Sequence, residues 1–175
     1  MIRRILLWLV FSLPLGLVAQ AQTAPAVPEY TMKAAYIYNF ALLTTWPASP
    51  SNTFNLCLYG QDSFGPALDA LNGKEVSGQK IQVRRIEHIE DALQCRLIFI
   101  SETSNARVAL LVNTIGRAPI LTVADDGLPW TSGAMISLAP ENRRLVFEVN
   151  AAATKLANLQ LSSKLLRLAS RVVSP

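Results

Sequence analysis

Hydrophobic residues along this chain fall into three kinds of run, and each kind predicts a different element. The first is a continuous apolar stretch from Ile5 to Val18, interrupted only by Ser12, Pro14 and Gly16. Arg3 and Arg4 precede it and Ala19-Gln20-Ala21 follows. At about fourteen residues it falls short of the roughly 20 that a spanning helix needs, and Pro and Gly inside it weaken an anchor further. A charged start, a short apolar middle and a small-x-small end predict a signal peptide over residues 1–21, cleaved after Ala21. No Cys follows the apolar run, so a lipid anchor would have no attachment point there. Residues 22–29, QTAPAVPE, then read as a disordered leader.

The second kind of run repeats every three to four positions. In TMKAAYIYNFALLTTWP, the spacing of Ile37, Phe40, Ala41 and Leu43 predicts a helix from Tyr30, capped by Thr31 and stopped by Pro47. Apolar residues surround much of it, which places it against the core. Further helices are expected from Ser63 through Leu71, from Asn105 to Ile115 with Gly116 as the stop, from Ala151 to Leu156, and from Ser162 to Val172. The third kind is short and either alternating or unbroken. Phe54 to Gly60, KIQVRRIE, CRLIFIS and PILTVAD are strand-like, and CRLIFIS is apolar enough to lie at the centre of a sheet. AMISLAP and RRLVFEVN, joined by Glu141-Asn142, predict a hairpin, with Leu145, Phe147 and Val149 on one face and Arg144, Val146 and Glu148 on the other. Strand, helix and strand follow one another three times, which points to βαβ units. The expected fold is therefore α/β: one domain over residues 30–175, its mostly parallel central sheet of about six strands flanked by helices on both faces, with a C-terminal hairpin and helix.

Removing residues 1–21 from 175 leaves 154, a usual length for one domain with one core. The formal charge of +4 includes Arg3 and Arg4, so the remainder carries 14 minus 12, or +2. With its basic residues scattered, the chain has no nucleic-acid footprint. Cys57 and Cys95 are the two cysteines. In an exported chain they read as one disulfide closing a loop of 38 positions (95 minus 57), about 4 kcal/mol by loop entropy, against the alternative of two buried thiols. Two Cys and one His at these separations lack zinc-ligand spacing, so no metal or other cofactor is expected.

Candidate chemistry is sparse. His88 is the only histidine and lies in the charged stretch IEHIED, where it reads as a surface residue. No G-x-S-x-G elbow and no glycine-rich phosphate loop is present, so neither a hydrolase nor a nucleotide enzyme has residue support. Asp125 and Asp126 end an apolar strand at the expected carboxyl edge of the sheet, where open α/β sheets hold ligands, although DDG before Leu128-Pro129-Trp130 is also an ordinary turn. Trp130 in its loop suits either a grip on a partner or a buried anchor. Glu148 is a lone carboxylate on an apolar strand. It is expected either to pair with Arg144 on the same face or to meet another protein. No apolar stripe marks a dimer face, though isologous homodimers are common.

Several stretches, in order, resemble one family. KAAYIYNFALLTTWP, LCLYGQDSFGPALDAL, GKEVSGQKIQV, CRLIFIS, ILTVADD, GAMISL, NRRLVFEVN and LSSKLLRLA together are similar to the YfiR proteins, across residues 30–172. The resemblance implies a periplasmic regulator without catalytic activity that restrains an inner-membrane diguanylate cyclase of the YfiN type by binding its periplasmic domain, thereby lowering cyclic-di-GMP and biofilm formation. It also matches Cys57 and Cys95 to family cysteines and Glu148 to an acidic position. The second cysteine pair of some members is absent, so redox switching through that pair does not carry over. A different class of function remains: a small-molecule sensing domain, with its site at the loop after Val123, acting on an envelope sensor kinase.

Overall fold

A computed structural model describes residues 28–125, 133–142 and 144–173. Helix α1 (Glu29–Leu42) opens them, one residue earlier than its apolar spacing suggests. Pro28, not Thr31, occupies the N-cap, and its carbonyl accepts from the N–H groups of Thr31 and Met32. The helix also ends before Pro47 can act. Leu43 donates its N–H to Asn39, the Thr44 hydroxyl donates to the Phe40 carbonyl at 2.6 Å, and β1 (Thr44–Thr45) follows.

Strand β2 (Thr53–Gly60) leads into α2 (Pro66–Asp69), whose entry is organised by Asp62 instead of Ser63. One Asp62 carboxylate oxygen accepts from the backbone N–H of Phe64 at 2.8 Å and of Gly65 at 3.2 Å. After a turn, β3 (Glu75–Val76) and β4 (Gln79–Ile86) form a hairpin. A 3-10 helix (Ile89–Gln94) then carries the chain to β5 (Leu97–Ser101). Helix α3 (Asn105–Ile115) ends at Gly116 as its pattern predicts, and β6 (Leu121–Ala124) follows. The C-terminal third consists of β7 (Ile136–Glu141), β8 (Arg144–Asn150), α4 (Ala151–Leu156), β9 (Gln160–Leu161), α5 (Ser163–Leu168) and β10 (Arg171–Val173).

Eight of these strands form one mixed sheet in the order β10-β8-β7-β6-β5-β2-β4-β3, while β1 and β9 pair separately. Five of its pairings are parallel (β2 with β4 and β5, β6 with β5 and β7, β8 with β10). The pairings of β3 with β4 and of β7 with β8 are antiparallel. A mostly parallel sheet of about six strands is thus corrected to a mixed sheet of eight described strands, because the hairpin extends the sheet instead of lying beside it. The expected helix from Ser162 to Val172 is also too long. It stops at Leu168, Ser170 donates both its N–H and its hydroxyl to the Phe147 carbonyl, and the β-branched Val172 and Val173 run parallel to β8.

Alternation along the strands buries both faces of the sheet. Leu56, Leu58, Leu97 and Phe99 join Ile37 and Phe40 of α1 and Leu165 of α5 in one cluster. Cys57, Tyr59, Ile98 and Ile100 join Val108 and Leu111 of α3 in the other. Each fully buried aliphatic side chain contributes roughly 1.5–3 kcal/mol, so two filled faces explain why the central strands read as unbroken apolar runs. The Cys57 and Cys95 sulfurs are bonded, with Cα atoms 6.0 Å apart, which ties β2 to the entry of β5 on the α3 face.

Candidate functional sites on the carboxyl edge and the hairpin face

Backbone register places several of the predicted site residues on one line. Arg171 pairs with Glu148, Glu148 with Ser137 and Ser137 with Ala124, so the hairpin charge and the end of β6 lie on the same row across the sheet. The row continues through Ile100 and Tyr59 to Ile86. Residues in register project to the same face, so Glu148 stands on the α3 side, away from Phe147 and its α1 contacts.

Glu148 does not pair with Arg144. Its carboxylate receives a hydrogen bond from the Arg171 guanidinium at 2.5 Å, and the side chains are 33% and 53% exposed respectively. Arg144 shares the strand parity of Glu148, but it lies opposite Glu141 at the turn end of the hairpin. The reason is topological. β10 lies directly beside β8 and brings Arg171 level with Glu148, whereas Arg144 is four residues along the same strand, about 13 Å at the rise of an extended chain.

Asp125, directly after β6, enters a charge cluster that no local pattern announces. Lys33, on the first turns of α1 and only 2% exposed, donates to Asp125 Oδ1 at 2.6 Å and contacts Glu29 Oε1 at 2.6 Å. The Tyr30 hydroxyl donates to Asp125 Oδ2 at 3.3 Å, and the Lys33 ammonium lies 4.5 Å from the Tyr30 ring centre. Burial opposes the ammonium, but hydrogen bonds and charge from Asp125 and Glu29 outweigh it and hold the Lys33 pKa above its ordinary value. Tyr30 packs edge-on against Phe64, which packs against Phe99. One turn of α1 thereby covers the carboxyl end of the central strands. Asp126 and Trp130 lie outside the described residues.

Two surface depressions flank these groups. A groove of about 450 Å³ runs between α1, β8 and α5, with Tyr36, Phe40, Phe147, Leu165 and Leu168 on its walls and Lys164 at its rim. It opens on the face of β8 opposite to Glu148. The second, about 520 Å³, lies outside the ends of β2 and β5 and includes Tyr59, Gln61, Glu87, Ser101, Glu102 and Arg107. Sequence reasoning placed a carboxyl-edge site at Asp125 and did not reach this one. Among its residues, only Gly60 at a strand end carried a signal: its φ is +106°, and a Cβ there would meet the Glu102 nitrogen at 2.5 Å. Among the described residues, no group of three or more His, Cys, Asp and Glu could hold a metal ion, and no helix is long and apolar enough to cross a membrane.

No curated protein matches the chain. The family described as YfiR/HmsC-like matches residues 30–170, which spans α1 through the end of α5 and both clusters of the core. With that match covering most of its length, the chain belongs to the YfiR/HmsC-like family.

Proposed function

We propose that this protein is a periplasmic regulator that restrains an inner-membrane diguanylate cyclase of the YfiN type by binding its periplasmic domain, lowering cyclic-di-GMP and biofilm formation. The family match over residues 30–170 carries the reading. The disulfide between Cys57 and Cys95 supports it, since such bonds persist in oxidising compartments. In this reading residues 1–21 are a signal peptide, and the exported protein begins at Gln22.

The recognition surface is assigned to the β8–β10 face, with Glu148 at its centre and Arg144 further along the same strand; Trp130, outside the described residues, is a further candidate contact on its residue type alone. The Glu148–Arg171 ion pair is partly exposed at the edge of the sheet, where a charged group can anchor recognition without filling the core. Glu148→Lys in the native host is expected to raise cyclic-di-GMP and surface attachment, while the purified variant melts within a few degrees of the wild type. The double exchange Glu148→Arg with Arg171→Glu separates the roles, because it keeps an ion pair but reverses both charges. Loss of restraint in the double variant supports partner recognition; full recovery would assign the pair to folding alone and remove this face from the proposal. Capture of the exported protein should recover a membrane protein with a periplasmic domain and a cyclase output. Recovery of a histidine kinase instead would favour the sensing-domain reading.

A further inference from the structure

The cleft of about 520 Å³ lies where the chain reverses direction across the sheet. From β2 the chain proceeds to β4 on one side, and from β5, which adjoins the other side of β2, it proceeds to β6 further out. The connections that leave the carboxyl ends of β2 and β5 therefore part in opposite directions. Open α/β sheets bind their ligands in the crevice such a divergence creates.

One side chain in that crevice is held as a receptor would hold it. Arg107, on the first turn of α3, donates from Nε to the Tyr59 hydroxyl at 3.2 Å and contacts Glu102 Oε2 at 3.1 Å. Its guanidinium carbon lies 5.5 Å from the Tyr59 ring centre. Tyr59 is fully buried, and the other Glu102 oxygen accepts from the Ser104 N–H at 2.9 Å, so neither support moves freely. The Tyr59 hydrogen bond and the Glu102 contact are both made through Nε, and the side chain is 56% exposed. A guanidinium anchored through Nε can present its two terminal nitrogens as a fork, the geometry that binds a carboxylate through two parallel bonds.

Charge then narrows the ligand. Glu102 and Arg107 neutralise each other, while Glu87 on another wall is exposed and enters no ion pair among the described residues. A polyanion would be repelled by Glu87, whereas a molecule with a carboxylate at one end and an ammonium at the other matches both. Gln61, Ser101 and Thr103 add polar wall to the charged groups, and the hydrophobic lining is confined to Ile86 and Tyr59, which favours a small polar side chain over a large apolar one. We propose that the crevice between the ends of β2 and β5 is a binding site for a small polar amino acid, its carboxylate on the Arg107 fork and its ammonium facing Glu87. This site lies on the same register row as Glu148 but four strands away, about 19 Å at ~4.8 Å per strand. It does not rest on the identity of any protein partner.

The test is an amide NMR titration of the exported protein with glycine, L-serine, L-glutamate, lactate and inorganic phosphate at constant ionic strength. At least one amino acid should shift the amides of Gly60, Gln61 and Ser101 to Arg107 with a dissociation constant of about 1 mM or tighter, with lactate weaker. Arg107→Lys keeps the charge but loses the fork and should weaken binding at least tenfold. Glu87→Gln should weaken the amino acids but not lactate. Both residues are on the surface, so both variants should keep the wild-type melting temperature. The proposal is overturned by shifts with phosphate alone, by titrations that are identical in wild type and Arg107→Lys, or by no shifts with any compound up to about 20 mM.

Discussion

At the scale of single residues, the most consequential group outside the surface charges is Lys33. A lysine buried to 2% exposure survives inside a fold only when its charge is matched, and here Glu29 and Asp125 match it from the same helix and from a strand 92 positions away. Removing one partner of such a cluster leaves buried charge uncompensated, so Lys33→Met should cost about 3 kcal/mol in denaturant unfolding. The pH dependence has a definite sign. Because the folded pKa is raised, the stabilisation is fully present below the unfolded value of roughly 10.4 and is lost as pH rises through the folded value. The stability gap between wild type and Lys33→Met should therefore be constant from neutral pH to about pH 9.5 and narrow above the unfolded pKa. A gap that narrows on acidification but not on alkalinisation would show that the ammonium is not what stabilises the cluster. The helix could be read from TMKAAYIYNFAL, but nothing in that stretch distinguishes Lys33 from the solvated lysines elsewhere, since its main partner is brought in by the sheet.

At the scale of elements, the disulfide and the C-terminal segment show two different relations between sequence and structure. Cys57 to Cys95 was legible because two cysteines allow one pairing and because both precede or occupy apolar strands. The structure adds that β2 and β5 are direct neighbours. Replacing both cysteines by Ala should lower unfolding stability by up to about 4 kcal/mol, less whatever residual structure the unfolded chain retains. Quantitative alkylation of both thiols in denatured, unreduced protein would instead show that the bond is not formed. Arg171 to Val173 went the other way. Leu165, Leu166, Leu168 and Ala169 continue a helical spacing, yet the segment after Leu168 is taken by the open edge of β8, whose backbone groups otherwise lack a strand partner on that side.

For the whole molecule, the same edge offers a test of how the sheet is closed. Deleting residues 171–175 removes β10 and the Arg171 contact to Glu148 while leaving both core clusters in place. The truncated protein should fold with a modest loss of about 1–2 kcal/mol, the sum of a short strand's hydrogen bonds and one half-exposed ion pair. It should also gain a tendency to associate through the uncovered β8 edge. Sedimentation and hydrogen exchange read these two effects separately, and wild-type protection of the β8 amides in the truncated chain would show that β10 contributes nothing to the edge.

Local pattern alone determined where most elements lie, because burial on one face imposes a period that persists whatever the neighbours are. Asn105 to Ile115 and Ala151 to Leu156 sit where that period places them, and the hairpin forms as expected although Glu141 belongs to β7, opposite Arg144, and not to the turn. Composition and the quoted stretches were also enough to reach the family. Tertiary structure decided strand order, and with it the pairings of the candidate site residues: Glu148 with Arg171 and not Arg144, Asp125 with Lys33, and Arg107 with Tyr59. The physical reason is common to the three. A charge's energy depends on what lies within a few ångströms, and strands adjacent in this sheet can be distant in sequence, so the identity of the neighbour is absent from any local window.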